Sequence, residues 1–362
     1  MALVAALLSL IPALVSFASM MVQPSNASFF INAVEWLRDN GARGLVNTVE
    51  NYYYSLTAPA KGGPALHALP KQAGAYAALE AQNAVHVHHY RPANIKPLVA
   101  QGLPGEGVWH RTFGDGGSRP PVLITSFRPE PTVYPQVVVG VAWIDHTRTT
   151  TKIYPGIQQP AVTLPSRGAE EVPVSQRSKL VATFNSGFKL SDDAGGFAYG
   201  GRTYAPLRDG MATIAGYKSG RVNVISWTSG PDAPTNVVWA RQNLPLIVNH
   251  GRPNPNLNDG PEWGFTLGNA DLVWRSAVGV DHHGNLIYVA GPDQGLSSLA
   301  TTMIHAGAVR AMELDINAYW TSFISYRYPG ARDPANLLAT MDRSPLRYLT
   351  PDDRDFFAVY LR

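Results

Sequence analysis

Two apolar runs flank a polar pentapeptide in the stretch Ala277-Val278-Gly279-Val280-Asp281-His282-His283-Gly284-Asn285-Leu286-Ile287-Tyr288-Val289-Ala290. Short apolar runs bounded by turn residues predict strands, and a glycine beside an asparagine tolerates the positive φ angles of a hairpin loop. The stretch therefore predicts a β-hairpin. His282 and His283 at its tip are expected to be exposed turn residues, because a single neighbouring carboxylate is too little to complete a metal site.

A helix and a third strand are predicted to follow the hairpin. Ser297 and Ser298 can cap the start of a helix, and Gly307 suits the position directly after its end. Residues 309–314 then predict a strand that carries Asp315 to its carboxyl end. Loops at strand ends often present functional groups, so this order of elements makes Asp315 a candidate site residue.

The same alternation of short apolar runs with Gly, Pro, Asn and Asp continues from residue 105 to the end of the chain. It predicts an α+β domain with a mixed, mostly antiparallel sheet, closed by a last strand near Phe356–Tyr360. The 33 Gly and 29 Pro residues favour turns over long helices. One large domain with appendages fits the 362 residues.

Composition excludes several classes of function. The chain has no cysteine, which excludes a disulfide scaffold, a thiolate zinc site, an iron–sulfur cluster and a cysteine nucleophile. The net charge of +3 is spread along the chain without a basic block. We therefore predict no nucleic-acid partner.

The N-terminal run Ala2–Val22 carries no charged side chain and is long enough to cross the core of a bilayer. It predicts an uncleaved transmembrane anchor, which we place at residues 1–24. A secretory signal is the alternative, but its apolar core is usually shorter and follows a basic stretch.

Two appendages are predicted between this anchor and the main domain. Residues 25–56 show helical spacing broken at Asn40-Gly41, which predicts a helical stalk that either meets a membrane interface or docks on the main domain. Residues 57–104 form a Pro- and Ala-rich linker. The catalytic domain is predicted at 105–362.

The histidines do not predict a metal site. His86, His88 and His89 lie in the linker without a nearby carboxylate, and they fit solvated loop residues better than metal ligands. A metal hydrolase would need more distant histidines to converge with carboxylates, and no spacing indicates this. These histidines are His110, His146, His250 and His305.

The first segment with chemical potential is Ala182–Lys189, in which an apolar strand ends in Asn185 and a flexible corner. Asn185 could hydrogen-bond sugar hydroxyls, and the Lys189 ammonium could hold an anion such as a phosphate. An ordinary turn with an asparagine at the strand end is the alternative. Further along, Asp209 precedes another predicted strand and supplies a carboxylate.

Two arginines lie where apolar strands are predicted. Arg241 is followed by Gln242, and Arg275 leads into the strand of the hairpin. A guanidinium beside a buried strand faces a cleft or pairs with a carboxylate, and two such groups would suit a phosphodiester. All three residues are candidate substrate ligands, with a structural ion pair as the alternative for each arginine.

The third segment follows the predicted helix. In an alternating strand, Glu313, Asp315 and Asn317 share one face. Glycoside cleavage uses paired carboxylates, one to protonate the leaving oxygen and one as nucleophile or base. Tyr319 and Trp320 offer flat faces for a sugar ring. In the alternative, Glu313 faces solvent on an edge strand and only Asp315 matters.

Taken in order, four segments resemble the phosphodiester glycosidase family. Its members carry an Asn-Gly-Gly-Phe-Phe segment, a glycine-rich strand and turn, an Arg-Ser/Thr-Ala-Val/Ile-Gly strand and a Leu-Asp-Gly-Gly-Gly segment. The matching stretches are Asn185–Lys189, Asp209–Ile214, Arg275–Gly279 and Leu314–Ala318. The resemblance covers about residues 178–326, less than half of the chain.

The resemblance implies a domain of that family's fold that hydrolyses a glycosyl phosphodiester, here in a cell-envelope glycan or glycolipid. Together with the predicted anchor, it places the catalytic domain outside the cytosol. It implies no nucleotide or redox cofactor, although a calcium ion could have a structural role.

The same resemblance suggests a role for each candidate residue. Asp315 is the leading acid/base or nucleophile, with Glu313 or Asp209 as its partner. The phosphate is neutralised by Lys189, Arg241 and Arg275, while Asn185 and Asn317 orient sugar hydroxyls.

The chain also departs from the family pattern. Ile316, Asn317 and Ala318 stand where the family has glycines, so they fill space in which the backbone would approach a ligand. Lys189 replaces an aromatic residue. These changes predict an altered substrate. The departure after Asp315 is also the sequence support for the alternative function, a catalytically inactive glycan-binding or envelope-assembly protein on the same fold.

Overall fold

The structure is a computed structural model that describes residues 2–75, 77–78, 90–114, 119–192, 195–258, 263 and 272–362, with side chains from residue 11 onward outside the short strand 77–78. The α-helices are α1 (Ala2–Met21), α2 (Phe29–Leu37), α3 (Arg43–Thr57) and α4 (Leu296–His305), with a π-helical turn at Arg38–Ala42. Short 3₁₀ turns lie at Val174–Lys179, Leu190–Asp192 and Arg347–Leu349.

The strands are β1 (Ala77–Ala78), β2 (His110–Arg111), β3 (Val122–Phe127), β4 (Val139–Ile144), β5 (Thr149–Tyr154), β6 (Leu180–Asn185), β7 (Phe197–Tyr199), β8 (Arg202–Ala205), β9 (Ala212–Tyr217), β10 (Val222–Ser226), β11 (Val237–Gln242), β12 (Leu246–Asn249), β13 (Arg252–Pro253), β14 (Val273–Val280), β15 (Leu286–Gln294), β16 (Arg310–Ile316), β17 (Phe323–Tyr328), β18 (Arg332–Asn336) and β19 (Phe356–Leu361).

Within the described residues these strands form three sheets. The largest has nine strands in the order β1-β2-β3-β4-β15-β14-β16-β12-β13. Two five-stranded sheets have the orders β10-β9-β11-β7-β8 and β18-β17-β6-β19-β5. Neighbouring strands run antiparallel in pair after pair, for example β14 with β15, β14 with β16 and β19 with β6. The predicted α+β class with mostly antiparallel sheet is confirmed.

The hairpin predicted from the opening stretch is the centre of the nine-stranded sheet. Val280 pairs with Leu286 across the loop, and the next strand along the chain, β16, pairs with β14 so that Val278 lies opposite Met312. The predicted closing strand at the C-terminus is present as β19, which lies between β6 and β5. The sequence of elements that leads to Asp315 is therefore as predicted.

The start of α4 differs from the prediction. Gly295 occupies the N-cap position without a side-chain cap, and Ser298 Oγ donates instead to Gln294 Oε1 at 2.9 Å. The predicted serine cap was wrong because the helix begins at Leu296, before both serines. Gly307 does follow the helix end as predicted, with a φ of +99° that favours glycine.

Two hydrophobic layers fix the position of β16. On one face of the large sheet, α4 packs Leu299 and Met303 against it. On the other face, an aromatic cluster joins the sheets: Phe184 of β6 stacks on Phe323 and Phe357 and contacts Tyr288 of β15. Burying side chains of this size stabilises the fold by about 1.5–3 kcal/mol each, so the ends of β6 and β16 are held side by side.

The N-terminal region contains the two predicted stalk helices, α2 and α3. They break where predicted, because Asn40 leaves helical geometry and Gly41 has a φ of +90°. Of the two positions predicted for this segment, the structure shows docking on the main domain, described below.

Within the described part of the chain, no helix has the length and apolar character needed to cross a membrane. The predicted transmembrane helix is thus not found. Part of the 57–104 segment, predicted as a linker, lies against the domain: Ile95 is buried there, and Gly62 N–H donates to the Val133 carbonyl. The boundaries predicted between the four segments of the chain stay predictions.

Candidate active site at the end of strand β16

Asp315 lies near the end of β16 and is almost completely buried. Its backbone N–H donates to the Ser186 carbonyl at 2.9 Å, which ties the end of β16 to the corner after β6. One carboxylate oxygen accepts from the Ile316 N–H at 3.1 Å. Burial raises the pKa of Asp315 to about 7, and the nearby Arg354 guanidinium offsets part of this rise. The side chain can therefore exchange a proton near neutral pH.

Arg354 is the cation beside this carboxyl group. Its Nη1 lies 3.8 Å from Asp315 Oδ2, and its guanidinium carbon lies 4.3 Å from the centroid of the Trp320 ring. Burial lowers the pKa of Arg354, but Asp315 and Glu35 more than compensate and raise it above its ordinary value. The arginine is therefore charged at any physiological pH.

The docked N-terminal segment brings a second carboxylate to the same place. Glu35 of α2 forms an ion pair with Lys189, and its Oε2 lies 3.6 Å from Arg354 Nη2. Lys189 also lies 3.2 Å from Asp39 Oδ2. Burial raises the pKa of Glu35, but Arg354, Lys189 and Arg38 outweigh it and hold the pKa below its ordinary value. Glu35 is thus a buried anion surrounded by three cations, Lys189 and Arg354 of the main domain and Arg38 of its own segment.

Hydrogen bonds around α2 hold the segment in this position. Ser25 Oγ donates to Asp353 Oδ2 at 2.7 Å, and Asn26 Nδ2 donates to Asp352 Oδ2 at 2.8 Å. Beyond α2, Arg43 pairs with Asp192 at 2.7 Å. Residues 25–43 therefore dock on the main domain beside Lys189 and Arg354, the cation that neighbours Asp315.

Asn185, predicted as a sugar ligand, is buried and fully engaged inside the protein. Its amide donates to Ser276 Oγ and to the Ser186 carbonyl, while its oxygen accepts from Tyr288 at 2.7 Å and from the Ser322 N–H at 3.0 Å. In this conformation it joins β6 to β14, β15 and the start of β17. Its contribution is to position the corner that contacts Asp315.

The predicted substrate ligands Arg241 and Gln242 are also engaged internally. Arg241 Nε donates to Asp355 Oδ2 at 2.9 Å, and its other nitrogens donate to backbone carbonyls. Gln242 Oε1 accepts from the N–H groups of Gly196 and Arg208, both at 2.8 Å. The structural ion pair left open for Arg241 is what the structure shows.

Arg275 shows the same behaviour. Its Nη1 donates to Glu313 Oε1 at 2.6 Å, and its Nε donates to the Gln294 carbonyl at 2.8 Å. Glu313 is completely buried in β16, so it does not face solvent on an edge strand. Burial raises the pKa of Glu313, although Arg275 counters part of the rise.

The remaining predicted residues fall into two groups. Asp209 is exposed, and its Oδ1 accepts from the Gly230 N–H at 3.0 Å in a turn of the domain. Asn317 and Tyr319 shape the loop after β16: Asn317 has a φ of +80° and accepts from the Tyr319 N–H at 2.9 Å. Arg343 covers the Tyr319 ring at 4.3 Å.

Asn317 occupies a backbone conformation that usually favours glycine. A φ of +80° lies in the left-handed region that favours glycine, and asparagine is one of the few other residues that enter it readily. Asn317 stands at one of the positions where the resembled family has glycine. Its backbone therefore adopts a conformation suited to glycine, while Ile316 precedes it in ordinary strand geometry.

Of the predicted site residues, the structure brings Asp315, Lys189 and Trp320 together around Arg354. Sequence reasoning missed Arg354 and Glu35, which lie far from Asp315 along the chain. Two signals pointed to them. Arg354 belongs to the charged run Asp352-Asp353-Arg354-Asp355 directly before a buried strand, and Glu35 is the first charged residue after a long uncharged stretch.

No group of three or more metal-ligating residues occurs among the residues that the structure describes. His86, His88 and His89 lie outside those residues. His283 of the hairpin loop stacks on Tyr90 at 3.7 Å. His146 Nδ1 lies 2.9 Å from the oxygen of Asn285, so it takes part in the structure of that loop.

Comparison with known proteins gives a distant structural likeness. No family model and no curated protein sequence matches the chain. One similar solved structure is the zebrafish N-acetylglucosamine-1-phosphodiester alpha-N-acetylglucosaminidase catalytic domain auto-inhibited by pro-peptide, with 17% identity, a TM-score of 0.45 and coverage of 69% of this chain and 87% of that one. A hypothetical protein from Synechocystis is similar at 14% identity and a TM-score of 0.37, over 62% of this chain and 59% of that one.

Proposed function

We propose that the chain is a hydrolase that cleaves a glycosyl phosphodiester, with Asp315 as its proton donor. One observation carries the proposal: a buried carboxyl group with a pKa of about 7 lies at a strand end beside a buried arginine. Buried acids with raised pKa values are typical of general acid catalysts. The family resemblance of the surrounding segments supports the same chemistry.

The reaction needs few groups. Water attacks the anomeric carbon and releases a proton to the solvent, the bond from that carbon to the phosphodiester oxygen breaks, and the protonated Asp315 supplies the proton to the departing oxygen. Asp315 then regains its proton from the solvent. The products are a free sugar and a phosphate monoester. Trp320 offers a ring face near Asp315, although in this structure Arg354 stacks on it.

The proposal names no second catalytic carboxylate beside Asp315. Glu313 is bonded to Arg275, and Asp209 is exposed in a turn. We therefore assign the positioning of water to neither residue. Arg241 and Arg275 are assigned to the structure of the site, and Asn185 and Asn317 to the placement of its two loops.

We extend the proposal to the location of the enzyme, which acts at a membrane on a cell-envelope glycan or glycolipid outside the cytosol. The sequence of α1 carries no charge, and its described part exposes Ile11, Leu14 and Val15. On α2, Phe29 and Phe30 are exposed as well. Exposed apolar side chains of this kind favour contact with lipid. Flotation of the full chain with liposomes tests this part separately.

An isotope experiment distinguishes the proposed reaction from other phosphodiester chemistry. Sugar-1-phosphodiesters are incubated with the full chain in ¹⁸O-labelled water, and the products are analysed by mass spectrometry. Cleavage at the anomeric carbon places the label in the sugar. Label in the phosphate would show attack at phosphorus and would overturn the glycosidase assignment.

The second candidate function is a glycan-binding protein without turnover. The closed site favours it, because Glu35 of the docked segment pairs with Lys189 and lies beside Arg354, and Arg354 occupies one face of Trp320. A binding protein would retain glycan affinity in the Asp315→Asn variant and would release no sugar from any substrate. An enzyme would lose turnover in that variant.

A further inference from the structure

Two buried cations converge on one carboxylate oxygen in the closed site. Glu35 Oε2 forms an ion pair with Lys189 Nζ and lies 3.6 Å from Arg354 Nη2. Lys189 is 7% exposed and Arg354 is 8% exposed. The two cations belong to different parts of the main domain, and the anion belongs to the docked N-terminal segment. The cations are thus arranged around an anion that the segment supplies.

The fit of Glu35 to Arg354 is incomplete. Arg354 Nη1 is buried and has no hydrogen-bond partner among the described residues. Arg354 Nη2 lies 3.6 Å from Glu35 Oε2, and Arg354 Nη1 lies 3.8 Å from Asp315 Oδ2; both separations are longer than a hydrogen bond. A buried donor that is not satisfied costs about 1–3 kcal/mol. The guanidinium therefore retains capacity for an acceptor that Glu35 does not provide.

A phosphate group would supply what the carboxylate lacks. It carries more acceptor oxygens than a carboxylate, and guanidinium groups bind phosphate through two parallel hydrogen bonds. Lys189 can meet another of its oxygens as a point charge. The neighbouring Asp315 carboxyl, which is partly protonated near neutral pH, then faces the bound anion without full charge repulsion.

We propose that Lys189 and Arg354 form an anion subsite for the phosphate of the substrate and that Glu35 is its intramolecular occupant. The subsite lies in the site of the proposed hydrolase. Only the identification of the natural anion as the phosphate of a phosphodiester rests on the proposed function. Ligand entry requires Glu35 to leave, and α2 with it. The contacts of Ser25, Asn26 and Arg43 are polar, so water can replace them when the segment moves.

Calorimetric titration with inorganic phosphate at pH 7 tests the subsite on the full chain. Glu35→Gln keeps the size of the side chain and removes the competing charge, so phosphate should bind at least tenfold more tightly than to the wild type. Glu50→Gln is the matched control, because Glu50 lies in the neighbouring helix α3 and pairs with Arg38 rather than with Lys189 or Arg354. Its affinity for phosphate should equal that of the wild type.

Two double variants locate the binding. Adding Lys189→Gln or Arg354→Gln to Glu35→Gln should abolish the gain in phosphate affinity, with circular dichroism confirming the fold. Hydrogen exchange on the wild type needs no variant: phosphate should speed exchange in residues 29–37 by displacing Glu35.

Equal phosphate affinity in Glu35→Gln and the wild type, or a gain that survives both double variants, would overturn the subsite. Hydrogen exchange in residues 29–37 at the same rate with and without phosphate would also contradict the subsite. These binding and exchange measurements involve no turnover. The subsite can therefore fail while sugar release that depends on Asp315 is still observed, and the subsite can be confirmed in a protein that releases no sugar.

Discussion

Arg354 Nη1 lies 3.8 Å from Asp315 Oδ2, and this pair joins the end of β16 to the charged run before β19. Both side chains are buried, so each changes the free energy of ionisation of the other. Arg354 keeps its charge, while Asp315 ionises only near neutral pH. The relationship places a carboxyl group that can donate a proton beside a fixed positive charge, an arrangement that suits the proposed cleavage of an anionic substrate.

The first prediction concerns stability. The pKa of Asp315 is about 7 in the folded protein against an ordinary value of 3.8, so the folded state binds more protons between these values. The free energy of unfolding of the wild type should therefore fall as the pH rises from about 4 to about 7. Asp315→Asn has no such group. At pH 8 its free energy of unfolding should exceed that of the wild type by a few kcal/mol, since each unit of pKa shift corresponds to about 1.4 kcal/mol.

Urea unfolding of both proteins at pH 4.5 and pH 8 measures this difference. The advantage of the asparagine variant should be small at pH 4.5, where the wild-type carboxyl is protonated when folded. A constant difference between the two proteins at both pH values would show that Asp315 has an ordinary pKa.

The second prediction concerns the pH dependence of turnover. A general acid with a pKa of about 7 loses its proton above neutral pH, so kcat/KM should fall tenfold per pH unit on the alkaline side. The negative charge of Glu35 raises the pKa of Asp315. In Glu35→Gln the alkaline limb should therefore move to lower pH.

The rate profile of Glu35→Gln is compared with those of the wild type and of Glu50→Gln, which leaves the Lys189 and Arg354 contacts intact. Identical profiles for all three proteins would mean that Glu35 does not act on Asp315 during turnover.

The third prediction separates structural arginines from substrate ligands. Arg275→Met leaves Glu313 as an unpaired buried carboxylate, and removing one member of a buried pair costs about 3–5 kcal/mol. The double variant Arg275→Met/Glu313→Leu should recover most of this loss. Thermal unfolding of the two variants measures the recovery.

KM supplies the complementary readout. If Arg275 serves the fold alone, the double variant should have the KM of the wild type. A KM raised tenfold or more in the stable double variant would return Arg275 to the substrate-binding residues.

The fourth prediction concerns the loop after β16. Asn317 adopts a φ of +80°, so Asn317→Ala should destabilise the protein by about 1–2 kcal/mol. Asn317→Gly removes the conformational strain and should cost less. If the role of Asn317 is conformational, the glycine variant also keeps its kcat/KM, which a sugar assay measures. A glycine variant that is stable but has lost most of its activity would assign Asn317 to substrate binding.

The fold was predictable where a local pattern decides it. The hairpin of β14 and β15, the helix α4 and the strand β16 follow from apolar runs and turn residues, which act within a few positions along the chain. The break at Asn40-Gly41 has the same origin. Pairing between β6, β17 and β19 was not predictable in this way, because it depends on contacts between distant strands.

The site was predictable only in part. The place of Asp315 at the end of a strand could be predicted because that strand is visible in the local sequence. Arg241 and Arg275 looked like ligands because the partners that neutralise them, Asp355 and Glu313, could not be matched to them without the sheet topology. Arg354 and Glu35 reach the site only through tertiary docking. In the sequence, each is marked only by being a charged residue next to an apolar stretch.

The most direct test of the account is release of free sugar from a panel of sugar-1-phosphodiesters by the full chain. The wild type is compared with Asp315→Asn and with Glu35→Gln, which weakens the docking of residues 25–43. We predict release by the wild type, faster release by Glu35→Gln, and a loss of at least a thousandfold in kcat/KM for a folded Asp315→Asn protein. Undiminished release by Asp315→Asn, or no release by a folded Glu35→Gln protein from any member of the panel, would contradict the account.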